Sequence, residues 1–550
     1  MDKNVIFEKI DSFREEMVRD LQSLIRCRSV LEDAADGAPF GEGVAKAYDT
    51  MMKMAKREGF EVCDFDGYGG HIDFCEASKD SGLLANDNIF GILCHLDVVS
   101  EGSGWTHEPF SGEIIDGTMY GRGTLDDKGP TIAAFYAMKA LKDCGVEPAG
   151  KIRMIIGLDE ETKSAGMEYY KEHVDRLPDK SIVPDSDFPL IQGEKGIMIF
   201  DIAQKIPDAG KSAKGMKLSG AKKMASTEKM ASGEMLPGAE LKPGEHKMHL
   251  IDISGGNAAN MVPDFASARI TPSIIYKSQN ENRSANEMLG EDEKKLIDSI
   301  AAILSKMADV SVEDDEIVVK CFGKSAHGAM PLKGKNAISK LMKVLGSIEF
   351  DAKEINDLIK FYNEKIGSEI NGEKIGLGHI KDDISGDIIW NTGMIKYIKA
   401  GEADKTCKVI EADEADETET DKIILTVNVR VPVTFSDRDV FDVLRPQLAL
   451  MGATTENVIY KPSLYFDSEN ETVKILLDVY RENTNDNETE PLVIGGGTYA
   501  REIPNAIAFG ALYPGDPDIM HEADECVKID RLVQTTKIYA DALLRLAVGR

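Results

Sequence analysis

The chain has 550 residues and a formal net charge of −31 at pH 7, from 65 Lys and Arg against 96 Asp and Glu. That acidity argues against nucleic acid and against anionic membrane surfaces as partners, because no positive field exists to collect phosphates. At 42% hydrophobic and 29% charged, the composition is that of a soluble globular protein. Its length exceeds what one hydrophobic core serves, so two domains are expected.

The N-terminus carries charges every few residues and no continuous apolar stretch, so neither a signal peptide nor a membrane span is expected there. Ile6, Ile10, Phe13, Met17, Leu21 and Leu24 recur at spacings of three and four, which predicts one amphipathic helix. A second helix is predicted over roughly 44–57, stopping before Gly59. The runs FEVCDF, HIDFCEA and NIFGILCHLDVV read as strands, the last apolar enough to be covered on both faces. Residues 130–142 read as a helix with Pro in its first turn, and KIRMIIGL as another buried strand. This rhythm indicates an α/β layered domain.

From about Gly193 the strands alternate: IMIFDIAQ, MHLIDIS, ASARITP, EIVVKCF and IILTVNVRV, with helices at 335–347 and 436–450. That pattern predicts an α+β domain with a half-exposed antiparallel sheet. Residues 206–246 and 402–421 read as surface insertions, because they offer little apolar surface to offset ordering entropy. After about Tyr465 the α/β character returns, with a helix near 470–482, strands PLVIGGG and AIAFGALYPG, and a terminal helix from about Asp530. Eight scattered cysteines without a CxxC pair predict free thiols in a reducing cytoplasm.

Several short acidic and histidine-bearing segments stand out. In Cys94-His95-Leu96-Asp97, strand alternation puts His95 and Asp97 on one side, where the carboxylate can accept the second ring N–H of a ligating imidazole. The turn Gly121–Gly129 contains Asp126 and Asp127; a carboxylate held there can bridge two metal ions, while Asp127 reads better as a helix N-terminal charge. Asp159-Glu160-Glu161 ends a buried strand, where three acids repel one another and a cation would relieve the repulsion. Adjacent glutamates can divide the roles of metal ligand and proton carrier. Asp185 and Asp187 in PDSDFP, and His521 in PDIMHEA, add further candidates. His, Asp and Glu donors with few sulfurs suit Zn, Mn or Co.

In combination, HLDVV, YGRGTLDDKGP, DEETKSAG, FPLIQGEKG, GGNAANMVPD, GKSAHGAMP, VNVRVP, GGGTYAR and the His521 segment resemble the dipeptidase V branch of the dinuclear-metal peptidases. That superfamily also holds carnosinases, carboxypeptidase G, aminoacylases and succinyl-diaminopimelate desuccinylases. The resemblance implies an α/β fold class: a catalytic α/β domain with a mixed, largely parallel sheet covered by helices, interrupted by an inserted α+β lid. The expected parts are 1–193 and 465–550 for the catalytic domain and 194–464 for the lid.

It also implies two divalent cations per chain, Zn or Mn foremost and Co as an alternative. His95 and Asp185 would share one, Glu161 and His521 the other, with Asp126 bridging; Asp187 fits a strand end as Asp185 does. Asp97 would orient His95. Glu160 would be the general base, and His327 would stabilise the oxyanion. Asn260, Arg430 and the backbone of Gly496, Gly497 and Thr498 would grip the substrate carboxylate. The implied protein is a cytoplasmic dipeptidase, monomeric rather than dimeric, with small peptides as its partners. An N-acyl amino acid amidohydrolase and a non-catalytic binding protein on the same fold are the alternatives.

Overall fold

The computed structural model describes residues 3–74, 88–207, 247–276, 289–401 and 420–549. The insertions expected at 206–246 and 402–421 lie outside the described residues except at their edges, where Ile206 N–H donates to the Asp421 carbonyl at 2.8 Å. The chain divides into two compact units, Met1–Glu194 with Leu464–Arg550, and Lys195–Ser463.

The first unit is built on a six-stranded mixed sheet. Its order is Glu61–Asp64, Gly70–Phe74, Lys151–Gly157, Ile89–His95, Lys180–Val183, Ala506–Ala508. The last four strands are mutually parallel, and the first two form an antiparallel hairpin at one edge. Ile89–His95 is buried at every position, as its unbroken apolar run requires. The helix Lys128–Asp143 is buried over most of its circumference, in one core with the terminal helix Ile529–Leu546.

Two expectations need correction. The N-terminal stripe forms two helices, Lys3–Ser12 and Arg14–Ile25, interrupted at Phe13, whose ring meets Tyr136 edge-on while the apolar stripe continues across the break. The run AIAFGALYPG forms two short strands, Ala506–Ala508 and Ala511–Leu512, which pair in different sheets on either side of Gly510. The Asp126 turn follows Thr118–Tyr120, which lies outside the central sheet in a small sheet with Glu113–Ile115 and Cys526–Lys528.

The second unit is an eight-stranded sheet in which every paired neighbour is antiparallel. Helices Glu291–Leu304, Ala337–Leu345, Lys353–Phe361 and Asp437–Leu450 contribute apolar faces to its core. The inner strands Met248–Gly255 and Phe265–Pro272 mix buried and part-exposed positions, as a half-exposed sheet requires, whereas Lys422–Val431, flanked by Gly196–Lys205 and Ile389–Ile398, is buried throughout. Among the described residues, no helix is long and apolar enough to cross a membrane, and the six described cysteines are unbridged.

One buried network in the first unit carries a pH dependence. Arg153 donates through Nε and Nη2 to Asp73 at 2.8 Å each, and His71 Nδ1 lies 2.9 Å from the Tyr170 hydroxyl. Burial holds the His71 imidazole down at about 4, outweighing the attraction of Asp73. A histidine depressed in the fold contributes stability that is complete above its ordinary value of about 6.5 and is lost as pH falls toward 4. At about 1.4 kcal/mol per pKa step, this is on the order of 3 kcal/mol at full protonation. We therefore expect His71→Gln to flatten the acid limb of thermal stability, measured by calorimetry from pH 7 to pH 4.5. Parallel limbs in both proteins would remove His71 as the cause.

Candidate metal centre

Strand register sets the site. Ile92 lies opposite Ile182 on one side, and His95 opposite Gly157 on the other. Three residues beyond the first pair, His95 and Asp185 leave the sheet at the same level, and the 159–161 segment leaves beside them. This is the carboxyl edge, where open α/β sheets gather functional groups. His521 reaches it because Cys526–Lys528 pairs with Thr118–Tyr120, which draws the 521–525 segment alongside the Asp126 turn.

Two groups of donor atoms form there, His95 with Asp126 and Asp185, and Asp126 with Glu161 and His521, each within 4.8 Å. Asp126 belongs to both. Its Oδ1 lies 3.0 Å from His95 Nε2 and its Oδ2 lies 2.8 Å from His521 Nε2. His521 Nε2 is also 3.2 Å from Glu161 Oε1, and Asp185 Oδ2 is 3.7 Å from His95 Nε2. Asp187 is in neither group; it sits on a short strand paired with Ala511–Leu512.

Protonation shows what this cluster attracts. Burial, then repulsion from Asp126, pushes Asp185 up to about 7. Glu161 is raised by burial and by Asp126. Glu160 is raised well above the usual range by burial and then by Asp185. Burial pulls His521 down, but its contacts with Asp126 and Glu161 prevail and push it up to about 11. Asp126 is held far below the ordinary range, because His521 and His95 outweigh its burial. Carboxylates in excess of imidazoles, gathered out of water, bind cations. The atoms also fit a metal: His95 Nε2 is buried without a hydrogen-bond partner, although Asp126 Oδ1 is 3.0 Å away. A buried nitrogen in that state, facing a carboxylate oxygen, suits a metal ligand, and mixed imidazole and carboxylate donors suit Zn or Mn.

The supporting residues are partly those expected. Asp97 Oδ1 lies 3.4 Å from His95 Nδ1, but the closer contact of that nitrogen, at 3.0 Å, is with the Asp97 main-chain carbonyl. The other oxygen, Oδ2, accepts the Glu161 N–H at 3.1 Å, so Asp97 braces both groups. Asp127 is buried and accepts from the His95 N–H and the Thr131 hydroxyl, which ties the strand end to the first turn of the following helix. Asp159 does not join the centre. Its carboxylate accepts the N–H groups of Ala165 and Gly166 at 2.8 and 2.9 Å, at the start of helix Ala165–His173.

Sequence reasoning missed Glu525. It is fully buried, and its carboxylate receives Arg122 and the backbone of the Asp126 turn. The only sequence signal was an acid four residues after His521.

The remaining candidates are distributed over both units. In the first, Gly496 and Gly497 follow the strand Leu492–Ile494, and the Thr498 hydroxyl donates to buried Glu194 at 2.9 Å. In the second, Met261 pairs with His327, and Gly328 N–H donates to the Asn260 carbonyl at 2.6 Å, so Asn260 and His327 share one loop cluster. His327 Nδ1 accepts the Ala329 N–H at 3.3 Å. Arg430 is buried on Lys422–Val431, where its Nε donates to Asn428 at 3.0 Å.

The family model for peptidase family M20/M25/M40 matches residues 91–545. YtjP, an inferred dipeptidase of Bacillus subtilis (strain 168), is 32% identical over 539 residues, covering 97% of this chain and 98% of the relative. SAB1611c, an inferred dipeptidase of Staphylococcus aureus (strain bovine RF122 / ET3-1), is 32% identical over 546 residues, covering 98% and 99%. Among solved structures, the di-peptidase Dug1p of Saccharomyces cerevisiae superposes with a TM-score of 0.50 at 14% identity, covering 98% of each chain, a likeness of fold.

Proposed function

The chain belongs to peptidase family M20/M25/M40, and from that premise we propose that this metallopeptidase is a dinuclear-metal dipeptidase acting on dipeptides with a free C-terminal carboxylate. The observation that carries the proposal is Asp126, one carboxylate shared between two ligand groups, with Glu160 next to Glu161 in the chain but a member of neither group. The names of the two bacterial relatives point to the same activity.

His95 and Asp185 would hold one divalent cation, Glu161 and His521 the other, and Asp126 both; Zn or Mn suits these donors, with Co as an alternative. When bound, such a pair polarises the scissile carbonyl and lowers the pKa of water. Glu160 takes the proton from the attacking water and returns it to the departing amine. Asp97 keeps His95 and the Glu161 backbone in place. His327 is assigned to the developing oxyanion, where one such donor is worth about 2.7–4 kcal/mol. Arg430 and Asn260, with backbone N–H groups of Gly496, Gly497 and Thr498, are assigned to the substrate carboxylate, for which a planar guanidinium is matched. A clamp at fixed distance from the reacting carbonyl would select dipeptides by length. This reading is of a cytoplasmic monomer, its inserted unit acting as a lid.

The test is hydrolysis by EDTA-treated protein resupplied with Mn²⁺ or Zn²⁺. We expect cleavage of alanine-containing dipeptides that vanishes on chelation and returns with metal. Cleavage of acetyl- or succinyl-amino acids without dipeptides would make the chain an amidohydrolase instead. Failure on both substrate classes would leave a binding protein on the same fold.

A further inference from the structure

We propose that Glu525, acting through Arg122, is the positioning residue that sets Asp126 and His521 at their working separation. The inference rests on the reading of those two residues as metal-holding. Glu525 and Arg122 are both buried. Glu525 Oε1 accepts the backbone N–H groups of Gly123 at 3.1 Å, Leu125 at 2.8 Å and Asp126 at 3.3 Å. Its Oε2 accepts Arg122 Nη1 at 2.6 Å, and its main-chain carbonyl accepts the Gly121 N–H at 2.8 Å. One residue thus accepts four N–H groups of the turn that presents Asp126.

The other arm of Arg122 completes the link. Its Nη2 donates to the His521 carbonyl at 3.1 Å, and the guanidinium lies over the Trp105 ring, 5.2 Å from its centroid. His521 has φ 64°, in the left-handed region that non-glycine residues rarely adopt and keep only where surroundings impose it. The bond to its carbonyl is such an imposition. Asp126 and His521, 395 positions apart in sequence and 2.8 Å apart at their side chains, therefore hang from a single buried ion pair.

A buried ion pair by itself says little about stability, since apolar replacements often serve as well. No apolar side chain, however, could accept three converging N–H groups. A role confined to the fold would show in the unfolding temperature alone. A positioning role would show in metal affinity and kcat as well, and residues supporting metal ligands in this way typically account for 10- to 100-fold.

The test uses the full chain, stripped with EDTA and titrated calorimetrically with Mn²⁺ alone. Glu525→Gln keeps the shape but turns an amide donor toward either Arg122 or the turn. We expect at least one Mn²⁺ to bind about tenfold or more weakly, and kcat at saturating Mn²⁺ to fall about 10- to 100-fold, with KM changed little. Arg122→Lys keeps the charge but cannot span Glu525 and His521 together, so it should show the same pattern more mildly, and it carries the test where the first variant does not fold. Both variants binding Mn²⁺ and turning over as wild type does, whatever their unfolding temperature, would overturn the inference. A wild-type chain that binds no Mn²⁺ would instead overturn the metal reading, and the inference with it.

Discussion

Glu160→Gln is expected to keep its metal and lose its turnover. The substitution preserves size and shape, and Glu160 is in neither donor group, so Mn²⁺ stoichiometry and affinity should change little. What it removes is the ability to accept a proton. Burial, with repulsion from Asp185 and Glu161, gives this carboxyl an unusually high proton affinity. Cations among the same acids would draw that affinity back toward neutrality, where a general base works best. Proton transfer of this kind contributes about 10²- to 10⁴-fold, so kcat should fall by about that factor while KM moves little. Steady-state kinetics paired with metal analysis separates the outcomes. A variant with near wild-type kcat would show that Glu160 is not the base. One that loses both metal and activity would show that Glu160 is itself a ligand.

The parts of this centre that were legible in the sequence are those set by local pattern. The strand Ile89–His95 and the helix Lys128–Asp143 follow from an unbroken apolar run and from a proline-started helical pattern, and they position His95 and the Asp126 turn. The resemblance to the dinuclear-metal peptidases then implied Asp126, Glu161, Asp185 and His521 together with His95, and the donor atoms of these residues lie in two groups. What escaped was decided by tertiary partners. Asp159, Glu160 and Glu161 are alike in sequence, yet Asp159 turns away because a helix begins a few residues later and its free N–H groups face that carboxylate. Phe13 interrupts the first helix without disturbing its stripe, so periodicity could not show the break. Glu525 is an ordinary acid in an acidic stretch until Cys526–Lys528 pairs with Thr118–Tyr120 and buries it under the turn. Asp185 and Asp187 were indistinguishable by alternation, since both follow the same strand; the level of Ile182 against Ile92 separates them.

Asp126→Asn should have the broadest effect of any single substitution, because among the described residues Asp126 alone is a member of both donor groups. Each carboxylate oxygen faces a different imidazole, at 3.0 and 2.8 Å. An amide offers one oxygen and one NH₂, so whichever way it turns, one group loses its acceptor and both lose the negative charge. Metal uptake should fall from two Mn²⁺ to one or none, with activity reduced by about 10³-fold or more, a loss beyond that of a supporting residue. Thermal unfolding gives an independent readout. A ligand at 100 times its Kd stabilises the native state by about 2.7 kcal/mol per site, so wild type should gain markedly in Tm on adding Mn²⁺ and the variant far less. The metal-free proteins provide the control: their Tm values should differ less than the metal-bound ones, since the change replaces one buried group by another of the same shape. If the variant still binds two equivalents with wild-type affinity, Asp126 does not bridge, and the two donor groups would have to be read as separate sites. If it binds one and keeps its activity, the reaction needs a single cation, and the role assigned to Glu161 and His521 falls with the bridge.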